Sequence, residues 1–440
     1  MKKVAVVGLG YVGLPLAILA REKGWEVIGL DISADKVAQI NEGRSPIDGE
    51  QIARDLKKYS ITATTDPAQV AGVDVIVVAV PTPVTKDHLP DLNPLQGAIT
   101  SIRPYLRVGQ VLIVESTINP GVMDEAVLPL LREREDLPLE SAGEEKPLYI
   151  AHCPERINPG DPQWSVRNIP RVLGGYSPAG VAAAAAFYES VLEAPVKIMA
   201  SITEAEAVKI LENTFRDINI AFINEMAKSF ARLDIDISHV IEGASTKPFA
   251  FMAHYPGNGV GGHCISVDPY YMIERGRQAG FDHEFLKLAR QINNSMPAYT
   301  VDLLEQGLQA LGLALPDIET ALLGLAYKKD IADLRESPAL TIRSLLEERK
   351  ARLRVFDPFV PEESTVASLA EALTGAQVLM LATNHTAFIT ALTPQKIKEA
   401  GVRIVIDGKN ALDGDGIAAL GIPYYGIGRK RVPVGLTHRS

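Results

Sequence analysis

The sequence predicts an α/β protein with a doubly wound α/β region at each end and a helical middle. Three observations lead there. A glycine-rich turn, Gly8-Leu-Gly10-Tyr11-Val12-Gly13, follows an apolar run close to the N-terminus. Residues 202–233 contain neither glycine nor proline, and Val208, Leu211, Phe215, Ile218, Phe222 and Met226 recur every three or four positions. From Pro316 a second alternation of short apolar runs and helix-length stretches begins.

The elements follow in chain order. Residues 4–7, 26–30, 73–80, 110–115 and 148–152 are short, nearly continuous apolar runs ending in turn or polar residues, as expected of parallel strands covered on both faces. The segments between them have the length of crossover helices. Residues 202–233 then form one amphipathic helix of about 30 residues, near 45 Å long at 1.5 Å per residue. More helix is expected to about Ile241, followed by a Gly/Pro-rich loop and by helices from Pro269 to about Gly312. In the last region the expected strands are residues 320–325, 353–356, 377–381 and 402–406. The expected domains are 1–200, 201–312 and 313–440, the middle one supporting dimerisation through its long helix.

Composition narrows the class of partner. With 47% hydrophobic and 22% charged residues, the chain of 440 residues has the make-up of an ordinary globular protein. Its net charge of −10, with no basic cluster, argues against nucleic acid. No stretch approaches the roughly 18 apolar residues of a membrane helix, and the apolar start breaks into glycines and charges without a cleavage site. A soluble, cytoplasmic protein is expected. Two cysteines, Cys153 and Cys264, are too few for a disulfide framework and fit a reducing compartment.

The N-terminal turn has a mechanical reading. Gly8 makes the tight turn, Gly10 lets backbone approach a pyrophosphate, and Gly13 packs the following helix on the strand. That helix points its N-terminus at the phosphates. Asp31 ends the second strand, 18 residues after Gly13. Its carboxylate is placed to take the ribose hydroxyls and to repel a 2′-phosphate, favouring NAD over NADP; the glycines alone would also suit FAD. Tyr11 and Val12 within the turn, and Lys36 beyond Asp31, complete the near contacts. Thr82 of Pro81-Thr82-Pro83 and Thr117 of Glu115-Ser116-Thr117 follow strands and point at the same crevice, although each also suits a turn or helix cap.

The loop from Pro256 to Asp268 carries the chemistry. Gly257, Gly259, Gly261 and Gly262 stand within six residues, allowing backbone to press against a ligand, and Cys264 follows. A cysteine there reads as a nucleophile or as a small buried hydrophobe. The pairs His152-Cys153 and His263-Cys264 do not make a zinc site, because ligand pairs need two to four intervening residues to reach one ion. No metal is expected.

Six motifs in order, covering essentially the whole chain, resemble the UDP-glucose/GDP-mannose dehydrogenase family. They are GLGYVG at Gly8, VPTP at Val80, CPER at Cys153, EAVKILENTFRDINIAFINE at Glu206, GVGGHCISVDP at Gly259 and GLAYKKDIADLRESPA at Gly324. The resemblance implies an NAD-binding Rossmann domain, a central helical dimerisation domain and a C-terminal Rossmann-like UDP-sugar-binding domain. It also implies oxidation of a nucleotide sugar at its 6-hydroxyl through the aldehyde to the acid, reducing two NAD. Cys264 would be the nucleophile that holds the aldehyde as a thiohemiacetal and then as a thioester. Lys209 and Asn213 would handle the 6-oxygen, Asp268 and Thr117 would position water, and Glu155 would serve thioester hydrolysis. Lys328 matches a residue pairing with the sugar diphosphate, Arg335 one reaching cofactor phosphates, and Lys247 lies near a cation supplied by the neighbouring subunit. Arg156, Tyr255, Gly257, Gly259 and Gly261 fall among the substrate contacts. Lys209 and Lys328, taken singly, also read as ordinary surface lysines.

The run at residues 212–217, with CPER and Thr246-Lys-Pro-Phe249, resembles the branch acting on UDP-N-acetylhexosamines, UDP-N-acetylglucosamine ahead of UDP-N-acetylmannosamine, with surface polysaccharide precursors as products. Arg216 would contact the N-acetyl group or a phosphate, or form a helix-surface ion pair. UDP-glucose is the alternative substrate. Ser266 departs from the family pattern, which has proline there, and this puts the stiffness of the loop in question. A single-step hydroxy-acid dehydrogenase would need neither Cys264 nor a second α/β domain. An NAD-binding sensor would not need Cys264, Lys209, Asn213 and Asp268 together.

Overall fold

A computed structural model describes residues 2–47, 49–85, 89–139, 147–157, 163–262 and 265–429. The chain divides into two compact units, one of Met1–Glu212 with Tyr270–Phe281, the other of Asn213–Pro269 with Asp282–Ser440.

The first unit is built on eight strands: β1 (Lys3–Val7), β2 (Glu26–Leu30), β3 (Thr62–Thr64), β4 (Val75–Val78), β5 (Val111–Val114), β6 (Tyr149–His152), β7 (Arg171–Gly175) and β8 (Val196–Ile198). They lie in the order β3-β2-β1-β4-β5-β6-β7-β8. Neighbours run parallel except β6 and β7. The central strands β4 and β5 are apolar at every position and buried throughout, because helices cover both faces. One face packs Val4, Val6, Val77 and Ile113 under the helix Gly13–Glu22; the other packs Ala5, Ile76, Val78 and Leu112 under the helix Asn93–Ile102.

The second unit holds β9 (Glu319–Leu323), β10 (Arg352–Phe356), β11 (Val378–Leu381), β12 (Ile404–Asp407) and β13 (Tyr424–Gly426) in the order β10-β9-β11-β12-β13, all parallel. Helices Met296–Ala310 and Pro338–Glu348 cover one face, through Val301, Leu304, Ile342 and Leu346. Helices Ile237–Ser245, Asp268–Gln278 and Glu284–Asn294 fall within the expected helical middle.

The long helix spans Ile202–Arg232 and passes from the first unit into the second. Its burial is not what its apolar stripe suggests. Leu211, Phe215 and Phe222 are exposed, while Glu206, Lys209, Asn213, Asp217 and Asn224 are buried with Ile210, Ala221 and Ala227. The polar face is therefore the inner one in this chain. No helix among the described residues is long and apolar enough to cross a membrane.

Candidate active site

The strand order reverses between β1 and β4, so a crevice opens at their carboxyl ends, where doubly wound sheets bind ligands. Gly8 leaves β1 at φ +94°, its N–H donating to the Leu30 carbonyl at 2.7 Å. A Cβ on Gly8 would meet the Ala79 carbonyl oxygen at 2.6 Å, and one on Gly13 would collide with the Gly8 carbonyl. Gly10 differs: a Cβ there would meet nothing within 4 Å. Two glycines thus serve the turn itself, and the one assigned to pyrophosphate approach faces open space. Asp31 follows β2 with its carboxylate already oriented, Oδ2 accepting the Leu9 N–H at 2.9 Å and Oδ1 the Ser33 N–H at 3.0 Å. Each oxygen keeps a lone pair for a ribose hydroxyl. Ser33 caps the helix Ala34–Asn41 through the Lys36 N–H, and the Lys36 side chain is half-buried. Tyr11 is exposed. These residues fit NAD.

The neighbouring strand ends are tied together. Thr82 donates its hydroxyl to the Thr117 carbonyl at 2.7 Å, and Ser116 donates to the Val80 carbonyl at 2.8 Å. Tyr271 braces the same loop, its hydroxyl donating to the Thr82 carbonyl at 2.7 Å. Beyond β6, the Glu155 N–H donates to the Glu115 carbonyl at 3.2 Å, and its carboxylate accepts from the Ile157 N–H. Arg171, fully buried on β7, brings Nη1 to 3.7 Å from Glu155. Glu115 is also fully buried; it accepts the Tyr188 hydroxyl at 2.6 Å, and burial pushes its carboxyl above the usual range. The same burial pushes the Cys153 thiol up to about 12, which makes it an inert core residue. Arg156 is committed to the Glu212 carboxylate and the Pro170 carbonyl. Lys209 is buried, which overturns its reading as a surface lysine.

In the second unit, Asn213 donates its amide to Asp268 Oδ2 at 2.6 Å, both side chains being buried. Cys264 and His263 lie outside the described residues. The glycine loop that leads to them is held by polar contacts: the Gly257 N–H to Asn224 Oδ1 at 3.0 Å, the Asn258 N–H to the Gly408 carbonyl at 3.0 Å, and the Gly262 N–H to the Arg335 carbonyl at 3.0 Å. A Cβ on Gly261 would stand 2.6 Å from the Glu336 carbonyl oxygen, and one on Gly259 3.1 Å from Pro338. On the Cβ side of these two glycines the close approach is to the protein's own 336–338 segment. Ser266 is buried and donates its hydroxyl to the Gly262 carbonyl, so a side-chain tether stands where the family pattern has a proline ring.

Other candidates are more dispersed. Arg216 and Tyr255 are exposed, and Lys247 is exposed with Nζ 4.9 Å above the Phe249 ring. Lys328 is half-buried, and Arg335 makes a forked contact with Asp333. Sequence reasoning missed the polar chain behind the glycine loop. Asn224 donates to Asn293 Oδ1 at 2.9 Å, and Asn293 and Arg290 donate to Asp217 Oδ1 at 2.8 and 2.6 Å. The signal was available in polar residues at helical spacing, Asp217 and Asn224, but such residues usually mark a solvated face.

The second unit repeats the turn geometry of the first and closes it. The Gly324 N–H donates to the Phe356 carbonyl at 2.9 Å, and Asp357 accepts from the Leu325 and Ala326 N–H groups at 2.6 and 2.9 Å. Asp357 is fully buried beneath His385, whose Nε2 lies 3.0 Å away. No ribose can reach that carboxylate.

Comparison with known proteins agrees with this division. Three family models match in order: UDP-glucose/GDP-mannose dehydrogenase family, NAD binding domain over residues 2–192, central domain over 203–295 and UDP binding domain over 321–414. The chain belongs to this family. A UDP-N-acetyl-D-mannosamine dehydrogenase of Pyrococcus horikoshii is 34% identical over 431 residues, covering 97% of this chain and 99% of that one. A UDP-N-acetyl-D-glucosamine 6-dehydrogenase of Pseudomonas aeruginosa is 37% identical over 367 residues, 83% and 84% of the two chains. The solved UDP-D-ManNAc dehydrogenase from Pyrococcus horikoshii superposes with a TM-score of 0.89 at 33% identity, over 98% of this chain and 100% of that one. The protein is an NAD-dependent oxidoreductase of the nucleotide-sugar dehydrogenase family, with an N-terminal NAD-binding domain, a central helical domain and a C-terminal UDP-binding domain.

Proposed function

We propose that the protein oxidises a UDP-N-acetylhexosamine at its 6-hydroxyl to the uronic acid, with UDP-N-acetylglucosamine as the favoured substrate. The observation that carries the reading is the buried Asn213–Asp268 pair, Asp268 lying four residues beyond Cys264 in sequence and Asn213 one helical turn beyond buried Lys209. A buried carboxylate and amide at such a position suit a polar reacting group that must be held in one orientation.

NAD, when bound, accepts one hydride in each oxidation. The chain's residues do the rest. Lys209 shuttles the hydroxyl proton away as the C6–H bond breaks, and the Asn213 amide donates to the oxygen. The Cys264 sulfur then adds to the aldehyde carbon while the oxygen gains a proton, giving a thiohemiacetal that cannot diffuse away. Loss of the second hydride and the hydroxyl proton leaves a thioester. Water held by Asp268 and Thr117 attacks it with Glu155 assisting, and the C–S bond breaks to give the carboxylate and the free thiol. The balance is one alcohol, one water and two NAD⁺ to one carboxylate, two NADH and three protons. Lys328 would hold the diphosphate and Arg216 the N-acetyl group or a phosphate, with Arg335 on the cofactor phosphates and Lys247 of a second copy completing the site. The exposed Leu211, Phe215 and Phe222 support a homodimer built on the long helix. Domain boundaries near residues 200 and 312 suit these roles, and a surface polysaccharide precursor is the product class.

A second reading, UDP-N-acetylmannosamine, is favoured by relatives of that name that cover nearly the whole chain. The test is NADH yield with each sugar nucleotide limiting. Two NADH per UDP-N-acetylglucosamine supports the first reading; the same yield only with UDP-N-acetylmannosamine replaces it. Turnover of UDP-glucose alone would overturn both. Cys264→Ser should abolish acid formation while leaving NAD affinity intact, and undiminished acid from that variant would remove the thioester route.

A further inference from the structure

Glu206 has no part in the chemistry above, yet its side chain is completely buried near the start of the long helix. Each carboxylate oxygen accepts one backbone N–H from the loop after β5: Oε2 from Gly121 at 2.6 Å and Oε1 from Met123 at 2.9 Å. Gly121 sits at φ +97°, a conformation that turns its N–H inward toward the acid. The loop begins at Thr117, whose carbonyl is pinned by Thr82. Lys209 stands three residues beyond Glu206, hence on the same side of the helix. One carboxylate thus joins the backbone that carries Thr117 to the helical turn that carries Lys209. Hydrogen bonds to an ionised acceptor are roughly twice as strong as neutral ones, and both donors here would be left unsatisfied without it.

We infer that Glu206 is a positioning residue for the oxidation, its ionised carboxylate clamping the Thr117 loop against the helix that bears Lys209. The inference rests on Lys209 and Thr117 acting as proposed above. The clamp is built to depend on charge. Burial pushes the Glu206 carboxyl up to about 7, against the opposing pull of the two N–H groups. The groups facing it are Asp124 on the short helix Met123–Val127, Arg275 on the helix Asp268–Gln278, and Tyr176 after β7. Arg275 is shared with Glu125, and the Tyr176 hydroxyl donates to Asp124, so neither neutralises Glu206 directly. On protonation one oxygen becomes a donor facing an N–H, and the clamp loosens. Turnover should therefore fall as pH drops through about 7, in kcat rather than in KM, because misplacement of reacting groups costs rate more than binding.

The experiment measures kcat and KM across about two pH units either side of 7 for wild type, Glu206→Gln and Glu206→Asp. Glu206→Gln should lose about tenfold in kcat at the alkaline end, with KM moved less than about twofold, and should lack the acid limb near pH 7. Glu206→Asp should keep an acid limb at a reduced kcat. A Gln variant that keeps the wild-type pH profile overturns the inference. Should the Gln variant fail to fold, an Asp variant with wild-type kcat overturns it as well. A wild type inactive on every UDP-sugar counts against the proposed reaction instead. Amide exchange at Gly121 and Met123 then decides the clamp: protection lost in Glu206→Gln supports it, and unchanged protection overturns it.

Discussion

His152, at the end of β6, is fully buried, and neither ring nitrogen makes a hydrogen bond of good geometry among the described residues. Burial holds the imidazole neutral, with its pKa pushed down to about 3. The unfolded chain takes up a proton near pH 6.5 that the folded chain refuses. Stability is therefore lost as pH falls from about 6.5 toward 3. His152→Leu removes that loss, since an unpaired polar group replaced by an apolar one of similar size costs little. Relative to wild type the variant should gain about 2 kcal/mol at pH 5 compared with pH 8, read from denaturant unfolding at the two pH values. An identical difference at both would show that the ring is protonated in the folded chain. At this scale the sequence was informative where a residue type is rare in its setting. Asp31 after a strand was legible; Glu206 was not, because an acid in a helix normally faces water.

Among the elements, β1, β2, β4, β5, β6, β9, β11 and β12 were legible because each is short and largely apolar, and β10 through its Leu353, Val355 and Phe356. β3, β7, β8 and β13 were not. β3 and β13 are three residues long at sheet edges, β8 is largely exposed, and β7 opens on Arg171 and closes on two glycines. None of them carries the apolar run that periodicity detects. The long helix was legible in extent, yet its inner face was not, since the apolar stripe is the one left outside. That inner face predicts a second outcome. Asp217 on the long helix and Arg290 on the helix Glu284–Asn294 form an ion pair almost wholly out of water, with side-chain exposures of 1% and 5%. Burial raises the Asp217 carboxyl, and Arg290 opposes the rise. Arg290→Met leaves that carboxylate uncompensated and should cost about 3 kcal/mol at neutral pH. The deficit should shrink in acid, where Asp217 can take up a proton. A pH-independent deficit would assign the loss to packing of the guanidinium stem alone.

At the scale of the whole molecule, the two α/β sheets solve one folding problem twice and end with different surfaces. Both place a glycine after the first strand of the sheet and an aspartate after the next, with that aspartate accepting backbone N–H groups of the turn. In the first sheet Asp31 is half-exposed beside the open Gly10; in the second, Asp357 is fully buried beneath His385, while Gly324 is packed as tightly as its counterpart Gly8. The first turn leaves its carboxylate open to a dinucleotide ribose, and the second turn keeps its carboxylate covered. Separate ligands should then stabilise separate regions. A ligand present at about 100 times its dissociation constant stabilises its site by about 2.7 kcal/mol, close to a hundredfold slowing of exchange wherever opening breaks that site. NAD alone should slow amide exchange most in peptides spanning Gly8, Asp31 and Thr82. UDP alone should slow it most within residues 321–414, the span matched by the UDP binding domain. The peptide around Gly324 separates two geometries. Slowing there by UDP and not by NAD fits a closed dinucleotide turn, whereas slowing by NAD would mean that the His385 cover opens.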